Sequence, residues 1–491
     1  MSARNAALGV KGGPIFRTNK NFAGKPPVAH ASACISLSIS FTLAALLLIP
    51  CLAFAQSSSQ AQDQKPAWFQ TGTGMGVSKT RIAVADFAGA NPSSQPLGKQ
   101  FSDVVRADLD YSGIIDLVSP SMYPLQVPSQ PSELNAQTWA DAPASAQALA
   151  FGSLNASGNS LAIQAWLNDV RNTSAPPMIA KIYRGEVTDA QVRIFAHQFA
   201  DEIIMKLSGG LPGISTTQIA FVSTRAGGNK EIWAMDYDGS NQHQLTSLRS
   251  IALTPRWSPD AQRIAFTCYV PGRTGVTSAQ ICMYSVLTGK LISWPRYTGT
   301  NSSPAWSPDG ASIMFMSSMQ GNPDIYVSDA NGGRPKRITF SVGVNTSPVW
   351  NPKTGQQVAF VSDRAGGGHP QLYTMNIDGT GTEKIELQDA GYVIDPSWSP
   401  NGELLAFSWQ RPNGNYDIYA MSIVDHKLVQ LTRDTGRNER PCWAPDGRHI
   451  AFESTRTGTR QIWSMLADGT QTRQLTTQGT NESPNWSAPR Q

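Results

Sequence analysis

Two carboxylates, Asp395 and Glu439, stand one and two residues ahead of a Pro-x-Trp motif, and acids so placed could carry general acid/base work. A hydrolase or lyase acting on cell-wall or polysaccharide fragments would use them this way. Other chemistries leave no signature. There is no Gly-x-Ser-x-Gly elbow, no Walker A loop, no His-Glu-x-x-His and no Cys-x-x-Cys. Gly72-Thr73-Gly74-Met75-Gly76 lacks the preceding strand and following helix of a nucleotide loop. His197, His243, His369, His426 and His449 share no metal-ligand spacing. The aspartate of Ser307-Pro308-Asp309-Gly310 and its relatives suits a turn, where it bonds its own backbone ahead of glycine. No catalytic residue, cofactor or metal is expected, and the chain reads as a binding protein.

The elements that would position Asp395 and Glu439 belong to an internal repeat, which begins near Ile214. Pro-x-Trp recurs at Pro255, Pro304, Pro348, Pro396, Pro441 and Pro484, at intervals of 49, 44, 48, 45 and 43 residues. Most copies are followed by an Ile-Ala-Phe-like strand, as at Ile264-Ala265-Phe266, and then by a strand like Glu231-Ile232-Trp233. A Gln-Leu-Thr-like segment closes the unit, as at Gln244 and Gln430. Four short strands per unit, separated by Gly-rich turns, make one blade of a β-propeller. The large Trp and Phe side chains should be buried between adjacent blades. The first unit starts at Ile219-Ala220-Phe221 without a Pro-x-Trp, and the last Pro-x-Trp has no Ile-Ala-Phe after it. The C-terminal strand should therefore complete the first blade, giving six.

The segments just before each Pro-x-Trp are expected as connections that meet at one mouth of the central channel. They supply a polar ring: Thr300, Asn301 and Ser303; then Asn345, Thr346 and Ser347; then Asp395; then Asn438 and Glu439; then Asn481 and Glu482. Loops such as Ala226-Gly227-Gly228 and residues 365–368 should emerge on the same face. A rigid ring with variable loops suits a protein or peptide partner better than a small molecule.

Ahead of the repeat the chain changes character. Residues 1–55 carry Arg4, Lys11, Arg17, Lys20 and Lys25, no acid, an apolar run and Ala53-Phe54-Ala55, the pattern of a cleavable secretory signal. The apolar run is short for a membrane span, so no stable membrane insertion is expected after cleavage. Lys and Arg number 39 against 35 Asp and Glu. Loss of those five basic residues would leave a near-neutral chain, with nothing to call for nucleic acid. Residues 56–79 read as a flexible Gln/Ser- and Gly-rich segment. Residues 80–212 read as a small αβ domain. Its strands are expected near Ile82, Leu149 and Leu161, its helices at 95–110 and from Thr188 or Asp189 onward. Residues 213–491 form the propeller. Cys268 and Cys282, on neighbouring strands of one blade, are either bridged or two buried thiols. A closed ring has no free sheet edge to pair, so a monomer is expected.

Taken together, Arg81-Ile82-Ala83-Val84, Asp108-Leu109-Asp110-Tyr111-Ser112-Gly113-Ile114, the direct run into Ile219-Ala220-Phe221-Val222-Ser223 and the six repeats resemble the TolB family of periplasmic propellers. The resemblance covers nearly everything after residue 55. It implies an α+β N-terminal domain followed by an all-β six-bladed propeller, with no enzymatic activity. It also implies a periplasmic adaptor of the Tol-Pal system that supports outer-membrane integrity and constriction in cell division. The partners it implies are the peptidoglycan-associated lipoprotein Pal, at the propeller, and TolA, at the N-terminal part. Other envelope proteins could join them. Thr300, Ser303 and Thr346 fall at positions similar to the family's Pal contacts. Residues 56–79 depart from the family's TolA-binding N-terminus. A periplasmic hydrolase, lyase or ligand sensor is the alternative.

Overall fold

The computed structural model describes residues 79–490 apart from 173, 272–276, 341–342, 367, 389–390 and 434. The expected signal peptide and nearly all of the segment 56–79 lie outside the described residues. Among the described residues no helix is long and apolar enough to cross a membrane.

The αβ domain holds β1 (Thr80–Val84), β2 (Ala88–Gly89), α1 (Gln95–Tyr111), β3 (Ile115–Leu117), α2 (Ala136–Ala140), β4 (Ala148–Ser157), β5 (Ser160–Asp169), β6 (Ile179–Glu186) and α3 (Asp189–Leu207). The sheet order is β3-β1-β4-β5-β6, with β2 beside β4. Side chains of β1 alternate between its faces, as strand geometry requires. Ile82 and Val84 meet Phe101, Val105 and Leu109 of α1 and Phe199 and Ile203 of α3. Ala83 and Ala85 face Trp139 of α2 and Phe151. The Thr188 side chain caps α3 by accepting from the Gln191 amide, 3.1 Å. Strands β2, β3 and β6 escape the sequence reading. Two are very short, and β6 buries only Ile179 and Tyr183, which breaks the period-two signal.

Residues 218–490 form six four-stranded antiparallel sheets. We number the blades from the one begun by Gln218–Ser223. Its innermost strand is Asn481–Trp486, so the two ends of the propeller share one sheet, as the repeat pattern requires. A representative blade, the third, runs Asn301–Trp306, Ser312–Ser317, Asp324–Asp329 and Lys336–Arg337 from the channel outward. Its outermost strand is only two residues long.

Tryptophans join the blades. Trp306 of blade 3 packs on Ala265, Ile281 and Met283 of blade 2, and its indole Nε1 donates to the Arg256 carbonyl, 3.1 Å. Trp350 and Trp398 repeat the bond to Ala305 and Val349, at 3.2 and 3.3 Å. At Ser307-Pro308-Asp309-Gly310 the Asp309 Oδ1 accepts from Ser307 Oγ (2.5 Å) and from the Ala311 amide (3.0 Å), the turn role expected of it. Blade 2 departs from the others. Its middle strands, Arg263–Pro271 and Thr277–Ser285, are nine residues long, and a disulfide joins Cys268 to Cys282 with their Cα atoms 5.8 Å apart.

Candidate protein-binding face and central channel

The segments before Pro-x-Trp are not connections. They are the first halves of the innermost strands, and each contains a bulge where pairing with the second strand shifts register. The residue ahead of the proline takes a positive φ in all six blades: Thr254, Ser303, Ser347, Asp395, Arg440 and Ser483, between 48° and 57°. Non-glycine residues seldom sit there, and a bulge re-aims its side chain. The bulge is held from the preceding blade. The Ser303 amide donates to Thr267 Oγ1 (3.1 Å), that of Arg440 to Ser408 Oγ (2.9 Å), and that of Ser483 to Glu453 Oε2 (2.8 Å).

The four asparagines of the expected ring, Asn301, Asn345, Asn438 and Asn481, are fully buried. They pin blades together. Asn438 Nδ2 donates to Asp417 Oδ1 of blade 5 (3.0 Å), while its Oδ1 accepts from Ser454 Oγ of its own blade (2.8 Å). Asn345 donates likewise to Asp324 (2.9 Å), Asn481 to Gln461 (2.7 Å) and Asn301 to Gln280 (3.2 Å). The threonine of the Gln-Leu-Thr-like segment joins the pin, with Thr432 Oγ1 on Asp417 Oδ1 at 2.8 Å. Their amides are spent on the fold. Of the neutral residues in the expected ring, Thr300 is exposed, and Ser303, Thr346 and Ser347 are half-buried.

The charged members gather on blades 5, 6 and 1. Glu439 and Glu482 are almost fully buried and Asp395 is half-buried. Glu439 meets Arg437 at 2.7 Å and Arg460 at 3.4 Å. Glu482 meets Lys230, Arg460 at 3.6 Å and Arg440 at 3.9 Å. Asp395 lies 4.0 Å from Arg440. Sequence reasoning missed the hub of this network, Glu453, which meets Arg440 at 3.1 Å and Arg460 at 3.4 Å. Its signal was available, since the equivalent position elsewhere holds Val222, Thr267, Met316, Val361 or Ser408. Burial pushes the Asp395 and Glu453 carboxyls above the usual range, and the Arg440 charge opposes it. Neighbouring carboxylates, Glu453 foremost, raise Arg440 against the burial that would lower it.

The loops between second and third strands of blades 1 and 3 do lie on this face, because the Thr224 amide donates to the Thr480 carbonyl and the Ser318 amide to the Thr300 carbonyl; Gly367 of the expected loop 365–368 lies outside the described residues. The αβ domain sits at the opposite ends of the strands, on blades 6 and 1. Tyr111 Oη donates to Ser464 Oγ at 2.5 Å, and the Tyr111 ring stacks on His449 with centroids 4.6 Å apart. His449 Nε2 faces the Tyr111 carbonyl (2.8 Å) and its Nδ1 the Asp446 carboxylate (2.7 Å). Both partners are hydrogen-bond acceptors. His197 and Tyr237 meet on Asp108 in the same interface. Among the described residues no cluster of three or more His, Cys, Asp or Glu could hold a metal.

Comparison with known proteins agrees with this architecture. The family model for the TolB amino-terminal domain matches residues 73–175, and that for the TolB beta propeller domain matches 205–394 and 387–491. A TolB homolog of Chlorobium luteolum is 31% identical over 463 residues, 92% of this chain and 99% of that one. The Tol-Pal system protein TolB of Bordetella pertussis is 30% identical across 87% of this chain and 91% of its own. The crystal structure of TolB from Acinetobacter baumannii shares the fold, with a TM-score of 0.69, 24% identity, and coverage of 84% of this chain and 97% of that one. With both domains matched in order and relatives aligned over nearly their whole length, the chain belongs to the TolB family.

Proposed function

We propose that the protein is a non-enzymatic periplasmic adaptor of the Tol-Pal system. In this reading it binds the lipoprotein Pal through the channel-mouth face of the propeller and TolA through its N-terminal part. It thereby supports outer-membrane integrity and constriction during division. The observation that carries the reading is the bulge ring, which presents Ser303, Ser347 and Asp395 beside exposed Thr300 on the face that the αβ domain leaves free. Membership of a family whose Bordetella pertussis relative is named a Tol-Pal system protein supports a search for partners within that system.

The channel acids argue for binding over acid/base chemistry. Asp395, Glu439, Glu453 and Glu482 each lie within 4.0 Å of a cation, and carboxylates so paired make rigid, charged scaffolding. The test is a pull-down from the organism's own envelope extract, with the wild type beside a variant carrying Thr300→Arg, Ser303→Arg and Thr346→Arg. Capture of a peptidoglycan-associated lipoprotein by the wild type, and loss of it in the folded variant, supports the adaptor and its face. Capture by neither, or turnover of cell-wall fragments by the purified protein, overturns it.

A further inference from the structure

We infer that the channel holds a binding site for a single carboxylate group, centred on Arg256 and on the side of the bulge ring nearer the αβ domain. A cavity of about 390 Å³ lies there, lined by Thr254, Arg256, Asp395, Ser397, Arg440 and Cys442 and walled by the motif tryptophans and prolines. That volume suits a small organic acid or the end of a peptide.

Arg256 is the middle residue of its Pro-x-Trp motif. The equivalent residues are Ala305, Val349, Ser397, Cys442 and Asn485, so it alone brings a charge to this level of the channel. In a ring of six, its blade stands opposite the blade of Asp395. The guanidinium donates from Nη1 to the carbonyl of its own neighbour Pro255, 3.0 Å. Among the described residues it has no ion pair with a carboxylate.

The nearby acids are committed elsewhere. Glu439, Glu453, Glu482 and Asp395 are held by Arg437, Arg440, Arg460 and Lys230. Adding Arg256 sets five cations against four carboxylates, and the unmatched charge faces the cavity. Burial lowers the Arg256 pKa, as expected of a cation without a close counter-ion.

A monoanion would satisfy both the charge count and the free donors. A guanidinium fork matches a carboxylate in two parallel hydrogen bonds. A polyanion such as a diphosphate would instead be repelled by Asp395 and the acids behind it. The site shares Asp395 with the proposed Pal-binding face, but Arg256 and Cys442 are not among that face's residues, and the test below does not depend on that assignment.

Cys442 provides a reporter, because its buried free thiol lines the same cavity. The full chain is alkylated with iodoacetate or iodoacetamide, and the Cys442 peptide is quantified by mass spectrometry. Both reagents require the same thiolate, so the ratio of their rates isolates the effect of reagent charge. We expect Arg256→Met to lower the iodoacetate:iodoacetamide ratio about fivefold or more, as removal of one nearby positive charge should, and Arg256→Lys to keep it. In the wild type alone, raised salt should lower the ratio, which preserves the test should Arg256→Met fail to fold.

The source of the carboxylate is read by protection of Cys442. If N-acetylalanine protects and N-acetyl-tetraalanine does not, the site takes free small acids. If both protect and their amides do not, it takes peptide ends. Equal protection by acids and amides, an unchanged ratio in a folded Arg256→Met or, should buried Cys442 resist both reagents, an equal thermal shift of the wild type by N-acetylalanine and its amide would overturn the site.

Discussion

The indole Nε1 of Trp486 donates to Thr217 Oγ1 at 2.7 Å, across 269 residues of chain. This bond and the pairing of Asn481–Trp486 with Gln218–Ser223 close the ring. Trp486 is also packed among Ile219, Phe221 and Met235. Trp486→Phe, which keeps most of the packing, should cost about 1 kcal/mol through the lost bond. Trp486→Ala should cost about 3–5 kcal/mol. Urea unfolding followed by circular dichroism checks both. Equal, small losses would mean that the ring is held without this clasp.

The pin between Asn438 and Asp417 makes a sharper distinction. Asn438→Ala leaves the buried Asp417 carboxylate of blade 5 short of a donor and the buried Ser454 hydroxyl of blade 6 short of an acceptor, and should cost about 1–3 kcal/mol. Asn438→Asp has nearly the same shape, yet sets a second carboxylate against Asp417 Oδ1, and should be worse at neutral pH. Unfolding midpoints of the two variants decide it. A milder aspartate would show that the pin is not electrostatic.

The interface between the domains should be acid-sensitive through Asp446. Burial opposes ionisation of this carboxyl, but the charges of His449 and Arg448 outweigh it and bring its pKa down from 3.8 to about 2. A group whose folded pKa is depressed stabilises fully above its unfolded value and loses that contribution as pH falls through the folded one. The effect is on the order of 2 kcal/mol. Asp446→Asn should therefore be less stable than the wild type at pH 6, and the gap should narrow between about pH 4 and 2. Thermal melts across that range measure it, and a constant gap would remove the interface charge as its cause.

Much of this architecture was legible because a repeat writes its contacts periodically. Pro-x-Trp marks where each blade meets the previous one, and the offset of its first and last copies foretold the shared sheet. The helices of the αβ domain were legible for the same reason, since Phe101, Val105 and Leu109 recur at helical spacing. The disulfide was not, because two cysteines on adjacent strands are equally compatible with free thiols until their register is known.

By itself, then, the sequence determined the number of blades, how the ring closes and where the large aromatics are buried, all consequences of side-chain pattern along strands. Only the tertiary structure decided what the residues before each motif do. Asparagines that looked like channel-mouth ligands are interior pins, because the bulge at Thr254, Ser303 and their equivalents comes after them and leaves them turned into the blades. The network of Lys230, Asp395, Glu439, Arg440, Glu453, Arg460 and Glu482, and the uncompensated Arg256 beside it, draw on positions more than 200 residues apart. The channel takes single residues from each blade while backbone pairing and inter-blade packing hold the ring. Nothing therefore forces those residues to repeat, and their grouping has no periodic trace.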